Sequence, residues 1–370
     1  MNSKQQVKHA FIDEFGEAPA FTVHAPGRVN LIGEHTDYNG GFVLPLALPY
    51  AVWIALRPRD DGQVRVRSLD FEETAVFSLN NLQYHPTNWD EYVKGMAWAL
   101  QEDGYALSGW EGVMVGDVPI GTGLSSSAAL EIVTARAFQT VSDFVWDSKA
   151  MALAGQATEN KWIGVQTGIM DQMASAAGPP GHGLLIDCRS LETETVPIPS
   201  ETAVIVMDTG TRRGLVDSAY NERREQCETA ARFFNVSHLR DVTPDHFAQR
   251  EAELDELSRR RARHVVLENG RVLKTVIALK NNNLIQVGQL MNASHASLRD
   301  DFEVSSTALD AIVACAQNHP ACYGARMTGA GFGGCAVALV QAKNTAAFME
   351  SVADCYMDCV VQPAVFYPVL

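Results

Sequence analysis

Apolar and polar positions along the chain change period several times, and each change marks an element. The first sixteen residues, MNSKQQVKHAFIDEFG, place apolar groups at helical spacing among polar ones and predict a helix. The runs FTVHAP, GGFVLPLALPYAVWIAL, VRVRSL and GVMVGDVP predict short strands, and helices follow from about Leu124, Lys149 and Gly168. After GHGLLIDCRS and the strand-like AVIVMDTG, the pattern becomes mainly helical, with long charged segments at 220–235 and 245–263. In the second of these, Arg259, Arg260, Arg261 and Arg263 follow EAELDEL directly, which predicts a solvated, salt-bridged helix face. Two prolines in VPIPSE interrupt the periodicity near residue 198, the expected boundary between an N-terminal domain, 1–198, and a C-terminal domain, 199–370. Further on, Gly329, Gly331, Gly333 and Gly334 lead into the apolar run CAVALV. A dinucleotide-binding loop has to open a helix, so this run predicts strand, turn and strand instead.

Composition narrows the classes. A chain of 370 residues with 46% hydrophobic content buries a substantial core and suggests two domains. The 44 acidic side chains outnumber the 29 basic ones, and the net charge of −15 repels phosphate backbones. Nucleic acid and anionic membranes are therefore not the expected partners. No apolar run reaches the roughly 20 residues that span a bilayer, and the N-terminus lacks the apolar stretch of a signal peptide. Seven cysteines without a CxxC pair disfavour a disulfide framework or a structural zinc site and predict reduced cytoplasmic thiols. No internal repeat or low-complexity segment is present.

Three segments carry chemistry. In GDVPIGTGLSSSAALE, a strand enters a Gly/Ser loop that opens a helix. Unpaired N–H groups at a helix start bind anions, and Gly121 and Gly123 let backbone approach phosphate closely. Ser125 or a neighbour suits the N-cap, and the Ser127 hydroxyl suits Mg2+. These residue types alone leave an ordinary capped helix open, and the chain has no GxxxxGK[ST] P-loop. The glycine cluster from Met327 onward exposes backbone that suits either a phosphate lining or a purely structural turn. Between Gly27 and Leu44, Arg28, Glu34, His35 and Asp37 crowd a glycine-bounded loop. Carboxylates accept hydrogen bonds from polyol hydroxyls and a guanidinium suits phosphate oxygens, although a buried ion-pair loop shares this composition. Neither HExxH nor GxSxG occurs, which argues against zinc and α/β-hydrolase chemistry.

Together GRVNLIGEHTDYNGGFVLPLA, VPIGTGLSSSAALE and MTGAGFGG resemble, in order and spacing, the GHMP kinases, and the first resembles the galactokinase signature within that family. The segments GIMDQMASAAG, LLIDCRS, AYNERREQCE and SHASLRDDFEVS extend the likeness over nearly the whole chain, with bacterial members most similar. The resemblance implies an α+β, two-domain GHMP kinase fold with the active site between the domains. It implies a kinase that uses ATP and Mg2+ to phosphorylate galactose at C1; a monomer is the expected state, although the sequence does not fix it. Sugar binding falls to Glu34, His35, Thr36, Asp37, Gly168 and Tyr220. ATP falls to Gly121, Thr122, Gly123, Leu124, Ser125, Ser126 and Ser127, and magnesium to Ser127 and Glu159. The resemblance makes Asp171 the catalytic carboxylate, with Arg28 beside it. A carboxylate paired with a guanidinium is a weak base, so Asp171 is expected to orient the hydroxyl and take its proton late. The alternatives are a non-catalytic galactose and ATP sensor, disfavoured by the intact Ser loop and Asp171, and an N-acetylgalactosamine kinase.

Overall fold

The computed structural model describes residues 2–86, 88–211 and 216–370, excepting the side chains of 216–218. In chain order the first elements are α1 (Ser3–Phe15), β1 (Phe21–Asn30), β2 (Phe42–Val43), β3 (Pro45–Arg59), β4 (Gln63–Ser68) and β5 (Glu73–Ser78). Then come α2 (Glu91–Glu102), β6 (Gly109–Gly116), α3 (Ser126–Ser142), α4 (Ser148–Ala157) and α5 (Met170–Ala177). The middle of the chain holds β7 (His182–Asp187), β8 (Thr193–Pro197), β9 (Thr202–Asp208), α6 (Val216–Phe233), α7 (Pro244–Arg250), α8 (Glu256–Lys280) and α9 (Leu284–Asp300). The last elements are α10 (Thr307–Gln317), β10 (Cys322–Met327), β11 (Cys335–Gln341), α11 (Thr345–Cys359) and β12 (Val365–Pro368).

These elements form two compact units. The first comprises 1–28, 48–120 and 124–177, and the second comprises 29–47, 121–123 and 178–370. This division departs from a single break at residue 198. Strands β1 and β3 each begin in one unit and end in the other, which sends the loop between them into the second unit.

In the first unit, β3 pairs antiparallel with β6 from Val52↔Gly116 to Arg59↔Gly109, β6 pairs parallel with β4, and β4 pairs antiparallel with β5. The alternation in VRVRS buries Val64 and Val66 and leaves Arg65 and Arg67 to bind Glu14 of α1. α1 packs Val7 and Phe11 onto Ala55, Val113 and Val115. Helix α3 is buried along most of its length among α2, α4 and α5, which explains why so much of AALEIVTARAF is apolar or small.

In the second unit β9 is the centre of an antiparallel sheet ordered β10-β11-β9-β12, and every residue of β9 is buried. The expected strand-turn-strand reading of the second glycine cluster holds: β10 and β11 pair directly, and Met327↔Ala336 closes the ladder before the turn. Separately, β7 pairs with β2 and β8. Cys315 of α10 and Cys355 of α11 form a disulfide, contrary to the expectation that the thiols are all reduced. The two cysteines are 40 residues apart in sequence, and their helices become neighbours only on the sheet. Arg261 also departs from its expected solvated face. It is buried, with Nε donating to Gln226, Nη1 to the Asp301 carbonyl and Nη2 to Glu303. Charge alternation within α8 was visible in sequence, but these partners come from other elements.

Candidate functional site

In the first unit, Asp171 sits in the first turn of α5, directly after the buried Gly168 and Ile169. Arg28, at the end of β1's stretch in this unit, grips it with two parallel bonds, Nε to Oδ1 at 2.8 Å and Nη2 to Oδ2 at 2.6 Å. A forked pair of this kind fixes the carboxylate in direction as well as in place. Arg28 is almost fully buried, whereas the Asp171 side chain keeps 31% of its surface, so the carboxylate is the accessible partner. Ser125 Oγ donates to the same Oδ2 at 2.5 Å. Ser125 precedes α3 but does not cap it: its backbone is left-handed, φ 60°, and its hydroxyl goes to Asp171.

Ser126 and Ser127 form the first turn of α3, where unpaired N–H groups favour an anion. In the second unit, Gly121 and Gly123 have φ of 71° and 82°, conformations that side chains resist, and nothing stands within 4 Å of where a Cβ would be. Backbone there is open to close approach. Thr122 is buried, as is Leu124 of the first unit, whose carbonyl accepts the Arg28 N–H at 3.1 Å.

Glu159 lies in a single π-helical turn, Thr158–Ile163, that continues α4. Such turns are rare and frequently functional, since the extra residue re-aims a side chain. Ser127 Oγ donates to Glu159 Oε1 at 3.1 Å, while Thr167 Oγ1 and Gln172 Nε2 donate to Oε2 at 2.6 and 3.0 Å. Burial pushes the Glu159 carboxyl up and the charge of Asp171 adds to this, against the hydroxyl of Thr167, the Gln172 amide and the Ser127 hydroxyl. None of these neighbours is positive. A cation at Ser127 and Glu159 would supply the missing charge. No group of three or more acidic, His or Cys side chains with metal-binding geometry occurs among the described residues. Mg2+ needs none, because it takes one or two carboxylates and completes its shell with water and phosphate oxygens. The residues present fit it.

Beside Ser126 and Ser127 opens a cavity of about 700 Å³, solvent at its mouth included. Val52, Met114, Val118 and Leu130 give it apolar walls, and Phe71 and Trp89 stack with centroids 5.8 Å apart. Asp70 and Tyr92 add polar groups, with Asp70 Oδ2 accepting the Gly116 N–H at 2.8 Å. An apolar, aromatic slot opening onto a helix start suits a flat base joined to phosphates. Sequence reasoning missed this slot, because its lining is scattered over 52–130 and no local spacing gathers it. It also missed Glu131, whose Oε2 accepts the second contact of Gln172 Nε2 at 3.0 Å. One signal was available: Ser127 and Glu131 stand one helical turn apart.

In the second unit, Glu34 is 1% exposed and fully engaged. Oε2 accepts Asn30 Nδ2 at 2.6 Å and pairs with Arg326 Nη2 at 2.7 Å, while Oε1 accepts the Gly329 N–H at 2.8 Å and lies 3.0 Å from the Thr328 hydroxyl. His35 holds a left-handed backbone, φ 61°, a conformation that costs about 1–3 kcal/mol and clusters at functional sites. Its Nε2–H donates to the Ala330 carbonyl at 3.2 Å, which leaves Nδ1 to accept the Tyr38 hydroxyl at 2.8 Å. Burial, above all, pushes the imidazole down to about 3, so it is neutral. The Thr36 hydroxyl is spent inside the loop, 2.8 and 2.7 Å from the carbonyls of Gly33 and Phe42. Asp37, half-buried, accepts the Tyr38 N–H at 2.9 Å. The Tyr220 ring centroid lies 5.4 Å from that of His35 and 5.3 Å from that of Tyr38, so α6 reaches the loop.

A guanidinium-held carboxylate, a hydroxyl and carboxylate suited to Mg2+, and a base slot at one helix start describe a small-molecule kinase. Comparison with known proteins agrees. The GHMP kinase N-terminal domain signature matches residues 91–179, the GHMP C-terminal signature matches 275–357, and the galactokinase galactose-binding signature matches 9–58. The chain is 44% identical over 367 residues to a galactokinase of Roseiflexus sp. (strain RS-1), covering 98% of this chain and 94% of that protein. It superposes with a TM-score of 0.93 on Lactococcus lactis galactokinase in complex with galactose, at 37% identity and over 98% and 96% of the two chains. Methanococcus jannaschii mevalonate kinase shares the fold at a TM-score of 0.68 and 18% identity, over 94% and 97% of the two chains. The fold is the two-domain α+β architecture of the GHMP kinases, enzymes that use ATP. The chain belongs to the galactokinase family of that group.

Proposed function

We propose that this enzyme transfers the γ-phosphoryl group of ATP to the C1 hydroxyl of galactose, giving galactose 1-phosphate and ADP. The observation that carries the reading is Asp171, accessible, gripped by Arg28 and touched by Ser125, in the same unit as the Ser127–Glu159 pair. ATP places its base in the Phe71–Trp89 slot and its phosphates over the Gly121 to Ser127 segment. Ser127 and Glu159 would hold Mg2+, which would supply positive charge to the phosphate oxygens. Glu34, His35, Thr36, Asp37, Gly168 and Tyr220 form the sugar site, Thr36 acting through the loop it closes, and His35 through its backbone and its grip on Ala330. Asp171 orients the C1 hydroxyl and accepts its proton late, because the loose transition state of phosphoryl transfer asks little of a base. Arg28 stabilises charge that develops on the transferring group. Dependence on ATP supports a cytoplasmic location, where a pool of that substrate is available.

The test is Asp171→Asn. The amide keeps a hydrogen bond but takes no proton, so kcat should fall on the order of 10²–10⁴-fold while the galactose Kd stays within about threefold. Single-turnover phosphorylation near the wild-type rate would remove Asp171 from the chemistry.

A further inference from the structure

Helix α8 carries polar side chains where a helix packed into a protein usually carries apolar ones. His264, Glu268 and Thr275 are completely buried, and Asn269 nearly so. Three of these hold the backbone of the sugar loop. Glu268 Oε1 accepts the Gly33 N–H at 3.1 Å, His264 Nε2–H donates to the Glu34 carbonyl at 3.1 Å, and Asn269 Oδ1 accepts the Phe42 N–H at 2.9 Å. Spacing of four puts His264 and Glu268 on one face of the helix, and Asn269, the next residue round, reaches Phe42 from the edge of that face. Gly33 has no conformational slack, because its φ is 109° and a Cβ there would stand 2.7 Å from the Phe42 carbonyl oxygen.

Burying a carboxylate is costly unless its charge and lone pairs are met, and an apolar side chain of similar size packs as well without that penalty. Glu268 is met on every side. Arg271 Nε donates to Oε2 at 2.5 Å, and Ser294 Oγ donates to Oε1 at 2.6 Å. Ser294 Oγ in turn accepts Arg326 Nε at 3.2 Å, and the far end of Arg326 pairs with Glu34. Arg326 Nη1 lies 3.3 and 3.2 Å from the carbonyls of Asn30 and Leu31. An alternating row thus runs Arg271, Glu268, Ser294, Arg326, Glu34 and ends in the loop.

We propose that Glu268 is a positioning residue for sugar binding, acting through the Gly33 amide and through Ser294 and Arg326 to set the direction of Glu34 and the course of residues 33–37. This rests on the reading that the loop binds the sugar. Glu268→Gln keeps an acceptor for Gly33 and removes the charge that faces Arg271 and Arg326. Thr275→Val is the control: its hydroxyl donates only to the Arg271 carbonyl of the same helix, at 2.8 Å, and it loses stability without touching the loop. The expected result is a KM for galactose raised about tenfold or more in Glu268→Gln. KM for ATP should stay within about twofold, and Thr275→Val should lower Tm with both KM values unchanged. His264→Gln, which keeps a donor toward the Glu34 carbonyl in a shorter side chain, gives the same selective rise and stands in if Glu268→Gln does not fold. Asp37→Ala tests the underlying reading separately. If Asp37→Ala raises the galactose KM and neither α8 variant does, or if both KM values rise together, the inference fails and the sugar loop stands. If Asp37→Ala leaves the galactose KM unchanged, the sugar loop itself is misassigned and the inference falls with it.

Discussion

At the scale of single residues, the forked Arg28–Asp171 pair decides what chemistry is open to the site. Two donors from one planar group hold the carboxylate at both oxygens, with Ser125 adding a third bond. A lysine supplies one charged point and cannot reproduce the fork. Arg28→Lys should therefore lower kcat on the order of 100-fold while changing the galactose Kd by less than about threefold. Isothermal titration beside steady-state kinetics separates the two, and equal losses would place Arg28 in ground-state binding. Arg28, Glu34, Asp37 and Ser127 stood out in sequence because they crowd glycine-bounded loops. That Asp171 meets Arg28 across 143 residues followed only from the family resemblance, not from local spacing, and the loss of the Ser125 hydroxyl from capping was not legible at all. Side-chain partners of that separation exist only once the elements are packed.

At the scale of elements, the π-helical turn 158–163 is what aims Glu159. It packs on α2 at Gly95, where a Cβ would stand 2.5 Å from Thr158 Cγ2 and 2.9 Å from Trp162 Cδ1. Thr158 is wholly buried and branched at Cβ, so it has no easy rotamer to retreat into. Gly95→Ala should push the turn outward, lower stability by about 1–3 kcal/mol and raise the Mg2+ concentration for half-maximal rate about tenfold. A titration of rate against Mg2+ checks this, with the wild-type curve as the outcome that refutes it. Helix periods and strand runs were readable because they depend on near neighbours: α1, α3, α4, α5 and the β10–β11 hairpin all fall where the pattern puts them. The polar face of α8 was misjudged for the complementary reason. Alternating charge looks the same on a solvated face and on one that meets its partners in other elements.

At the scale of the whole molecule, acid should unfold this protein through its buried histidines. Burial, before any other cause, lowers His35 to about 3 and His264 to about 4, against an ordinary value near 6.5. A folded value below the unfolded one means that the unfolded chain binds the proton first, so stability present above pH 6.5 is lost as pH falls toward 4. Each group contributes about 1.4 kcal/mol per pH unit in the middle of that window, about 2.7 for the pair. Below pH 4.5 Glu268 extends the loss, since Arg271, His264, Arg326 and Ser294 outweigh its burial and hold it down to about 2. Denaturant midpoints measured between pH 7 and 4.5 should follow this slope, and His264→Gln should flatten it by about half. A midpoint independent of pH would mean that the imidazoles charge freely in the native state.

Sequence by itself determined the elements, the glycine-dependent loops and the family, since these follow from local periodicity, from the steric freedom of glycine and from motifs a few residues long. Tertiary structure alone decided that Arg326 pairs with Glu34, that the loop of 29–47 belongs with 178–370, that Cys315 meets Cys355, and that α8 buries Glu268 beneath Gly33. Burial and ion pairing depend on residues far apart in the chain, and their free energy is set by surroundings that no single segment contains.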